Sequence, residues 1–274
     1  MSNTYQIYLI SDSTGETIDR IFTALKAQFS GFKYKIHQYS FVRTKNQISE
    51  ILKVAKNNKN SVLLYTLVDQ EITLHLLKKS KTYNLPCFGV LDELINNFSS
   101  LLKKESLSIP SRQHKLNDEY YDRVEAIQFT MKHDDGKELN DVDQSDIILF
   151  GVSRTSKTPT SIYLANRGYK TSNIPLINDK SVPESLKTNP KKICIVGLTT
   201  DPDRLIDLRK NRLRSLKEDE KSNYTNKKKI NDEVKDAKKT FKKYNWPVID
   251  VTRKSVEETA ASIIKIHEIY KKNA

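Results

Sequence analysis

Cysteine is scarce in this 274-residue chain. Cys87 and Cys194 are the two present, and they lie far apart. Two such residues make neither a disulfide framework nor the paired spacing of a zinc site, so a reducing cytoplasmic setting is expected. Both sit among apolar neighbours and are expected in the core. Long hydrophobic runs are missing too. The longest, such as IILFGV at 147–152, fall far short of the roughly 18 residues a membrane span needs. No basic stretch followed by an apolar run opens the sequence, so no secretory signal is expected. No internal repeat is visible. Arginine is sparse beside lysine, 11 against 36, and few basic residues are interleaved with aromatics. That weakens a direct nucleic-acid reading, which would want arginine aimed at bases or aromatic stacking platforms.

What is present is charge and a moderate apolar content. The chain is 37% hydrophobic and 30% charged, with a formal net charge of +13. It is too apolar to be disordered throughout and long enough for one or two cores. Residues 1–150 carry 19 basic and 19 acidic side chains, whereas 151–274 carry 28 and 15. The whole excess therefore falls in the second part, which suggests two units. A solvated lysine-rich surface explains it, and so does a basic nucleic-acid-binding regulator. Salt-sensitive binding to DNA or RNA separates the two.

Hydrophobic patterning predicts alternating strands and helices. Strands are expected at Tyr5–Ser11, Lys33–Val42, Ser61–Leu67 and Pro86–Val90. Helices are expected over 14–29, 45–58, 70–81 and 91–102. The first should bury Ile18, Ile21, Phe22, Leu25 and Phe29. Residues 103–116 lose periodicity and read as a connection, followed by a helix over 117–131 and a polar, turn-rich stretch over 133–146. Strands then recur at Ile147–Phe150, Lys170–Ile174, Lys192–Leu198 and Pro247–Val251. Helices recur over 159–167, 201–216 and 255–272. The stretch 217–230 reads as a loop or mobile insertion. Lys235, Lys238, Lys239, Lys242 and Lys243 follow at helical spacing, either as a docking face or as an ordinary solvated one. The expectation is an α/β protein: an N-terminal Rossmann-like parallel-sheet domain over 1–105, a connecting segment over 106–145, and a P-loop kinase-like α/β domain over 146–274.

Four segments carry possible chemistry. The first is Gly151-Val152-Ser153-Arg154-Thr155-Ser156-Lys157-Thr158, which follows a hydrophobic strand and precedes a helix. A phosphate-binding loop needs that context. Its backbone N–H groups and the helix N-terminus would face an anion, Lys157 would supply a point charge, and the Thr158 hydroxyl would ligate Mg²⁺. Ser156 stands where the motif has its second glycine, which restricts the left-handed backbone. An ordinary strand–turn–helix remains the alternative. The second segment is His133-Asp134-Asp135-Gly136, a candidate general base or metal-water ligand, or simply a turn. The third is Gly197–Arg204, where Asp201 reads either as a Mg²⁺-holding carboxylate or as a helix cap before Pro202. The fourth is Ser11–Thr17, an anion-binding turn or a helix start capped by Ser13 or Thr14.

Four runs occur together in this order: ISDSTGETIDRIF (10–22), IPSRQHKLNDEYYDRVEAIQFTMKHDDGK (109–137), GVSRTSKTPTSIYLANRGYKTSNIPL (151–176) and GLTTDPDRLIDLRKNRL (197–213). Their order and spacing resemble the pyruvate, phosphate dikinase regulatory proteins over nearly the whole chain. The resemblance implies a bifunctional enzyme acting on that dikinase. It would use ADP to phosphorylate a threonine, releasing AMP. It would remove the phosphate with inorganic phosphate, releasing pyrophosphate. The nucleotide segment of the family maps onto Gly151–Thr158, with Mg²⁺ at Thr158 and Asp134 or Asp135, beside His133, orienting the threonine hydroxyl. A sister branch acts on phosphoenolpyruvate synthase and tends to have Gly-Lys-Thr in the loop. Ser156-Lys157-Thr158 resembles the dikinase branch. A homodimer is compatible with this reading and is not required by it.

Overall fold

A computed structural model describes residues 4–114, 116–177, 181–188, 193–217 and 223–273. The chain divides into two compact units, Met1–Lys115 and Leu116–Ala274. The first alternates β1 (Thr4–Ser11), α1 (Glu16–Lys26), β2 (Lys33–Tyr39), α2 (Lys45–Asn57), β3 (Ser61–Thr66), α3 (Gln70–Thr82), β4 (Cys87–Gly89) and α4 (Asp92–Leu102). Its four strands are parallel in the order β2-β1-β3-β4. Because side chains alternate across a strand, β1 feeds two cores. Tyr8 and Ile10 pack with the α2 and α3 residues Ile48, Leu52 and Leu76, while Ile7 and Leu9 pack with Ile18 and Phe22 of α1. Helix α2 starts at a capping box between Thr44 and Gln47, and α3 at Asp69, whose side chain accepts from the Ile72 N–H.

The second unit opens with α5 (Asp118–Lys132) and two short 3₁₀ turns, Asp134–Gly136 and Leu139–Gln144. Then come β5 (Ile147–Gly151), α6 (Lys157–Ala165), β6 (Thr171–Pro175), α7 (Glu184–Thr188), β7 (Cys194–Thr199), α8 (Pro202–Leu216), a 3₁₀ turn at Asn223–Thr225, α9 (Lys227–Lys243), β8 (Val248–Asp250) and α10 (Val256–Asn273). The sheet is again parallel, in the order β6-β5-β7-β8. Ile148 and Phe150 face a core with α8 and α9; Ile147 and Leu149 face one with α6 and α10. Each such side chain contributes about 1.5–3 kcal/mol by leaving water. Gly197 is required where β7 meets α9, since an added Cβ would lie 2.7 Å from the Phe241 ring.

The expected α/β architecture is thus observed, with local differences, among them the short helix α7 and an Ile21 that is only partly buried. Helix α1 ends at Lys26, and Leu25 and Phe29 are exposed rather than core, at 43% and 60%. They line an apolar groove with Tyr5, Phe32 and Phe88 instead. Its N-cap is Gly15 in the left-handed region, not Ser13 or Thr14, and no side chain caps it. Residues 227–230, read as loop, form the first turn of α9. Ile230, Val234, Ala237 and Phe241 make its buried stripe, and the five lysines lie on its solvated side. The remainder of that stretch at 218–222, and Lys192 at the expected start of β7, lie outside the described residues. Cys194 is buried and its thiol is pushed up to about 12 by burial; Cys87 is half-buried and its thiol is pushed up to about 11. No helix among the described residues is long and apolar enough to cross a membrane.

Candidate active site

Strand β5 is buried along its whole length and ends at Gly151, beside the carboxyl ends of β6 and β7. In an open parallel sheet this is the switch point at which ligands gather. Gly151 has no room for a side chain: a Cβ there would lie 2.6 Å from Thr155 Oγ1 and 2.7 Å from the Leu198 carbonyl. The loop then folds on itself. Thr155 Oγ1 donates to the Val152 carbonyl at 2.9 Å, and Lys157 Nζ donates to the same carbonyl at 3.2 Å. Arg154 and Ser156 take left-handed backbone, with φ of 74° and 58°. Ser156 therefore adopts the conformation a glycine would supply. It is the N-cap of α6, and no side chain caps that helix.

Lys157 is 6% exposed. Burial lowers its ammonium to about 8; Asp135 and Asp134 oppose that shift, and Arg154 and Arg209 add to it. The carboxylate pair expected from the second motif is therefore within electrostatic reach of the loop. A direct bond ties them together: Thr158 Oγ1 donates to Asp134 Oδ1 at 3.0 Å. Asn173, fully buried on β6, holds the turn from the other side. Its Nδ2 donates to Asp134 Oδ1, its Oδ1 accepts from the Asp135 N–H at 3.1 Å, and its backbone N–H donates to the His133 carbonyl at 3.2 Å. Asp135 is exposed, has φ 58°, and its carboxylate makes no hydrogen bond among the described residues. Asp134 is thus engaged and Asp135 free.

His133 plays a different part. It is 2% exposed, stacks on Phe129, and has both ring nitrogens committed. Nδ1 lies 2.8 Å from the Phe129 carbonyl and Nε2 lies 2.8 Å from Asp141 Oδ1. That bond holds the Asp141 carboxyl below its usual range. His133 positions the turn from beneath. Asp201 caps α8, Oδ1 accepting from the Asp203 and Arg204 N–H groups at 3.0 and 3.1 Å. No hydrogen bond among the described residues joins it to the Gly151–Thr158 loop, so the capping alternative describes its contacts.

The structure adds residues that motif reading missed. Arg209 of α8, 1% exposed, pairs with Glu233 of α9 at 2.6 Å. It also donates to the Ser153 carbonyl at 3.4 Å and the Tyr224 carbonyl at 3.1 Å, and lies over the Tyr224 ring. The Tyr224 hydroxyl meets Ser153 Oγ at 3.0 Å and Arg154 Nε at 3.3 Å. Signals existed for two of these. Arg209 falls on the apolar face of α8 between Leu205 and Leu213, and Asn173 is a polar residue fully buried in β6 beside Ile174.

The chain is similar to known proteins along nearly its whole length. A family model described as kinase/pyrophosphorylase matches residues 7–264. The chain is 64% identical over 273 residues to a protein described as a putative pyruvate, phosphate dikinase regulatory protein from Pelagibacter ubique (strain HTCC1062), covering all of both chains. Proteins with the same description from Erythrobacter litoralis (strain HTCC2594) and Sphingopyxis alaskensis (strain DSM 13593 / LMG 18877 / RB2256) are 45% and 44% identical. The matches cover 95% of this chain and 93% of the first, and 96% of this chain and 96% of the second. A match of this extent, across both units and all four motifs, places the protein: the chain belongs to the kinase/pyrophosphorylase family.

Proposed function

We infer that this chain phosphorylates a threonine of pyruvate, phosphate dikinase with ADP, inactivating it, and reverses the modification by phosphorolysis with inorganic phosphate. The target follows the descriptions of its relatives. The observation that carries the chemistry is the junction of the Gly151–Thr158 loop with the carboxylate turn, through Thr158, Asp134 and Asn173. The loop backbone, Arg154 and Lys157 receive the β-phosphate of ADP, where charge neutralisation is the main catalytic term. Asp135, whose carboxylate is free, accepts the proton of the threonine hydroxyl. The hydroxyl oxygen bonds to the β-phosphorus, the bond to the bridging oxygen breaks, and AMP leaves. In reverse, an oxygen of inorganic phosphate attacks the phosphothreonine phosphorus. Asp135 takes the proton of the attacking phosphate and passes it to the leaving threonine oxygen, and pyrophosphate is released.

Among the described residues no cluster of three or more His, Cys, Asp or Glu side chains forms a cation cage. The paired oxygens of Thr158 and Asp134, 3.0 Å apart, instead suit a Mg²⁺ that keeps most of its shell from phosphates and water. Bound there, Mg²⁺ would neutralise charge on the transferring phosphoryl group. Asp201 stays in this reading as an outer carboxylate, tested by Asp201→Asn.

The experiment is mass spectrometry of the purified dikinase after incubation with this protein, ADP and Mg²⁺, with phosphoenolpyruvate synthase in parallel. A threonine phosphorylated on the dikinase, and released by added phosphate as pyrophosphate, is the expected result. Modification of the synthase alone would move the target to the sister enzyme. No modification of either would sink the reading.

A further inference from the structure

The first unit repeats, with different residues, the arrangement that places the Gly151–Thr158 loop. The two sheets share one strand pattern, β2-β1-β3-β4 and β6-β5-β7-β8. In each, the loop after the unit's first strand in chain order enters a helix whose N-cap is left-handed and has no side-chain cap, Gly15 at φ 87° and Ser156 at φ 58°. The leading N–H groups of α1 thus have no side-chain acceptor from the cap. Outside the carboxyl ends of β1 and β3, the switch point of this sheet, lies a cavity of about 150 Å³. Ser11, Ser13, Gly15, Thr17, Thr66 and Arg112 are on its wall.

The wall is rich in donors without acceptors. Thr66 is 5% exposed, and its hydroxyl has no hydrogen-bond partner among the described residues. Ser11 and Ser13 are 3% and 6% exposed. Ser11 Oγ accepts from the Ser13 N–H at 3.1 Å, and Ser13 Oγ accepts from Ser111 Oγ at 3.2 Å, so neither hydroxyl hydrogen is used. Arg43 braces this edge, Nε donating to the Asp12 carbonyl at 3.1 Å and Nη2 to Ser111 Oγ at 2.9 Å. Arg112 adds a second, exposed cation. Asp12 is the one acid on the wall, and its Oδ2 is already held by the Val68 N–H at 2.7 Å. Burial raises its carboxyl above the usual carboxylate range, against the Val68 N–H and Arg43, which lower it. The Thr66 hydroxyl opens to the cavity instead of being sealed from it, so it is free to donate to a ligand that supplies lone pairs. The volume is below the roughly 300 Å³ at which small-molecule pockets begin, so a whole nucleoside is too large and a tetrahedral oxyanion is the right size.

We propose that this cavity of the first unit is a second phosphoryl-binding site, separate from the Gly151–Thr158 loop, which takes one phosphoryl group from free orthophosphate or from a phosphorylated side chain. It extends the proposed function without resting on it, since no residue of the second unit takes part.

Calorimetric titration of the full chain with orthophosphate tests it. The Lys157→Ala chain removes the loop cation, and saturable orthophosphate binding should persist. Adding Thr66→Val and Ser13→Ala should weaken that residual binding at least tenfold. Thr66→Val keeps side-chain volume, and Arg112→Gln, made at an exposed side chain, gives a second probe that leaves packing alone. Competition with O-phosphothreonine assigns the source. Displacement of orthophosphate points to a modified side chain, and failure to displace it points to the free ion. Absence of residual binding in Lys157→Ala, or residual binding unmoved by all three first-unit substitutions, overturns the proposal. Phosphotransfer is not read here, so an inactive wild-type chain would discredit the kinase reading alone.

Discussion

Lys157 shows how one residue can be costly to the fold and useful to the reaction. Its ammonium is 6% exposed and lowered from 10.5 to about 8. A lowered amine means that the unfolded chain binds more protons between about pH 8 and 10.5, so stability rises with pH across that window. Below about pH 8 the burial penalty is fully present. Lys157→Met should therefore stabilise the ligand-free chain near pH 7 by up to about 3 kcal/mol, at ~1.4 kcal/mol per unit. The lost bond to the Val152 carbonyl takes back about 1 kcal/mol. Denaturant unfolding at pH 7 and pH 10 should show the gap between variant and wild type closing at the higher pH. Asp135 is the complementary case, an exposed carboxylate held at a left-handed position by its backbone rather than by its side chain. Asp135→Asn should lower kcat by about 10²–10⁴-fold while ADP affinity changes little. Single-turnover rates beside equilibrium nucleotide binding check this; an unaffected rate would return the segment to an ordinary turn.

At the scale of elements, local signals were read well and pairings across the sheet were not. The strand–loop–helix at 147–165 was legible because apolar β5 runs into a polar loop and then into helical spacing. Ser156 is legible as a departure from glycine that should restrict the left-handed backbone, yet the structure gives it that backbone all the same, with φ 58°. Asn173, 39 residues from Asp134, and Arg209, 56 residues from Ser153, become partners only when β5, β6 and α8 come together. No window of local periodicity contains such contacts. The α9 start was missed because its first turn is three lysines, and its apolar stripe becomes visible only with Ile230. Helices α8 and α9 then act as one support: the Arg209–Glu233 pair fixes the carbonyl of Ser153 from below. Arg209→Met should destabilise the second unit by about 2–4 kcal/mol, toward the low end for breaking a buried pair because Glu233 is 36% exposed. It should also raise the KM for ADP more than it lowers kcat, read from unfolding curves and initial rates.

At the scale of the whole molecule, the charge pattern changes once the folded units set the boundary. Residues 1–115 carry 16 basic and 9 acidic side chains, a net of +7; residues 116–274 carry 31 and 25, a net of +6. The asymmetry seen by cutting at 150 arises because 116–150 holds 10 acidic and 3 basic side chains. That acidic stretch belongs to the second unit and brings Asp134 and Asp135 to the cations of the loop. The excess is therefore shared, and each unit has cations beside its own switch point. Hydrogen exchange should show this directly: ADP should slow exchange within 151–160, whereas orthophosphate should slow it there and within 12–17 as well. Protection confined to the second unit with both ligands would argue against two sites. The low basicity of Lys157 has one more consequence, for chemical labelling. Most of the 36 lysines of this chain would stay protonated at pH 7.5 and react slowly with acylating or sulfonylating reagents. An amine with a pKa of about 8 is partly unprotonated there and is a nucleophile. A nucleotide analogue with a mild lysine-selective electrophile at its phosphate end should label Lys157 in preference to the lysines on the surface.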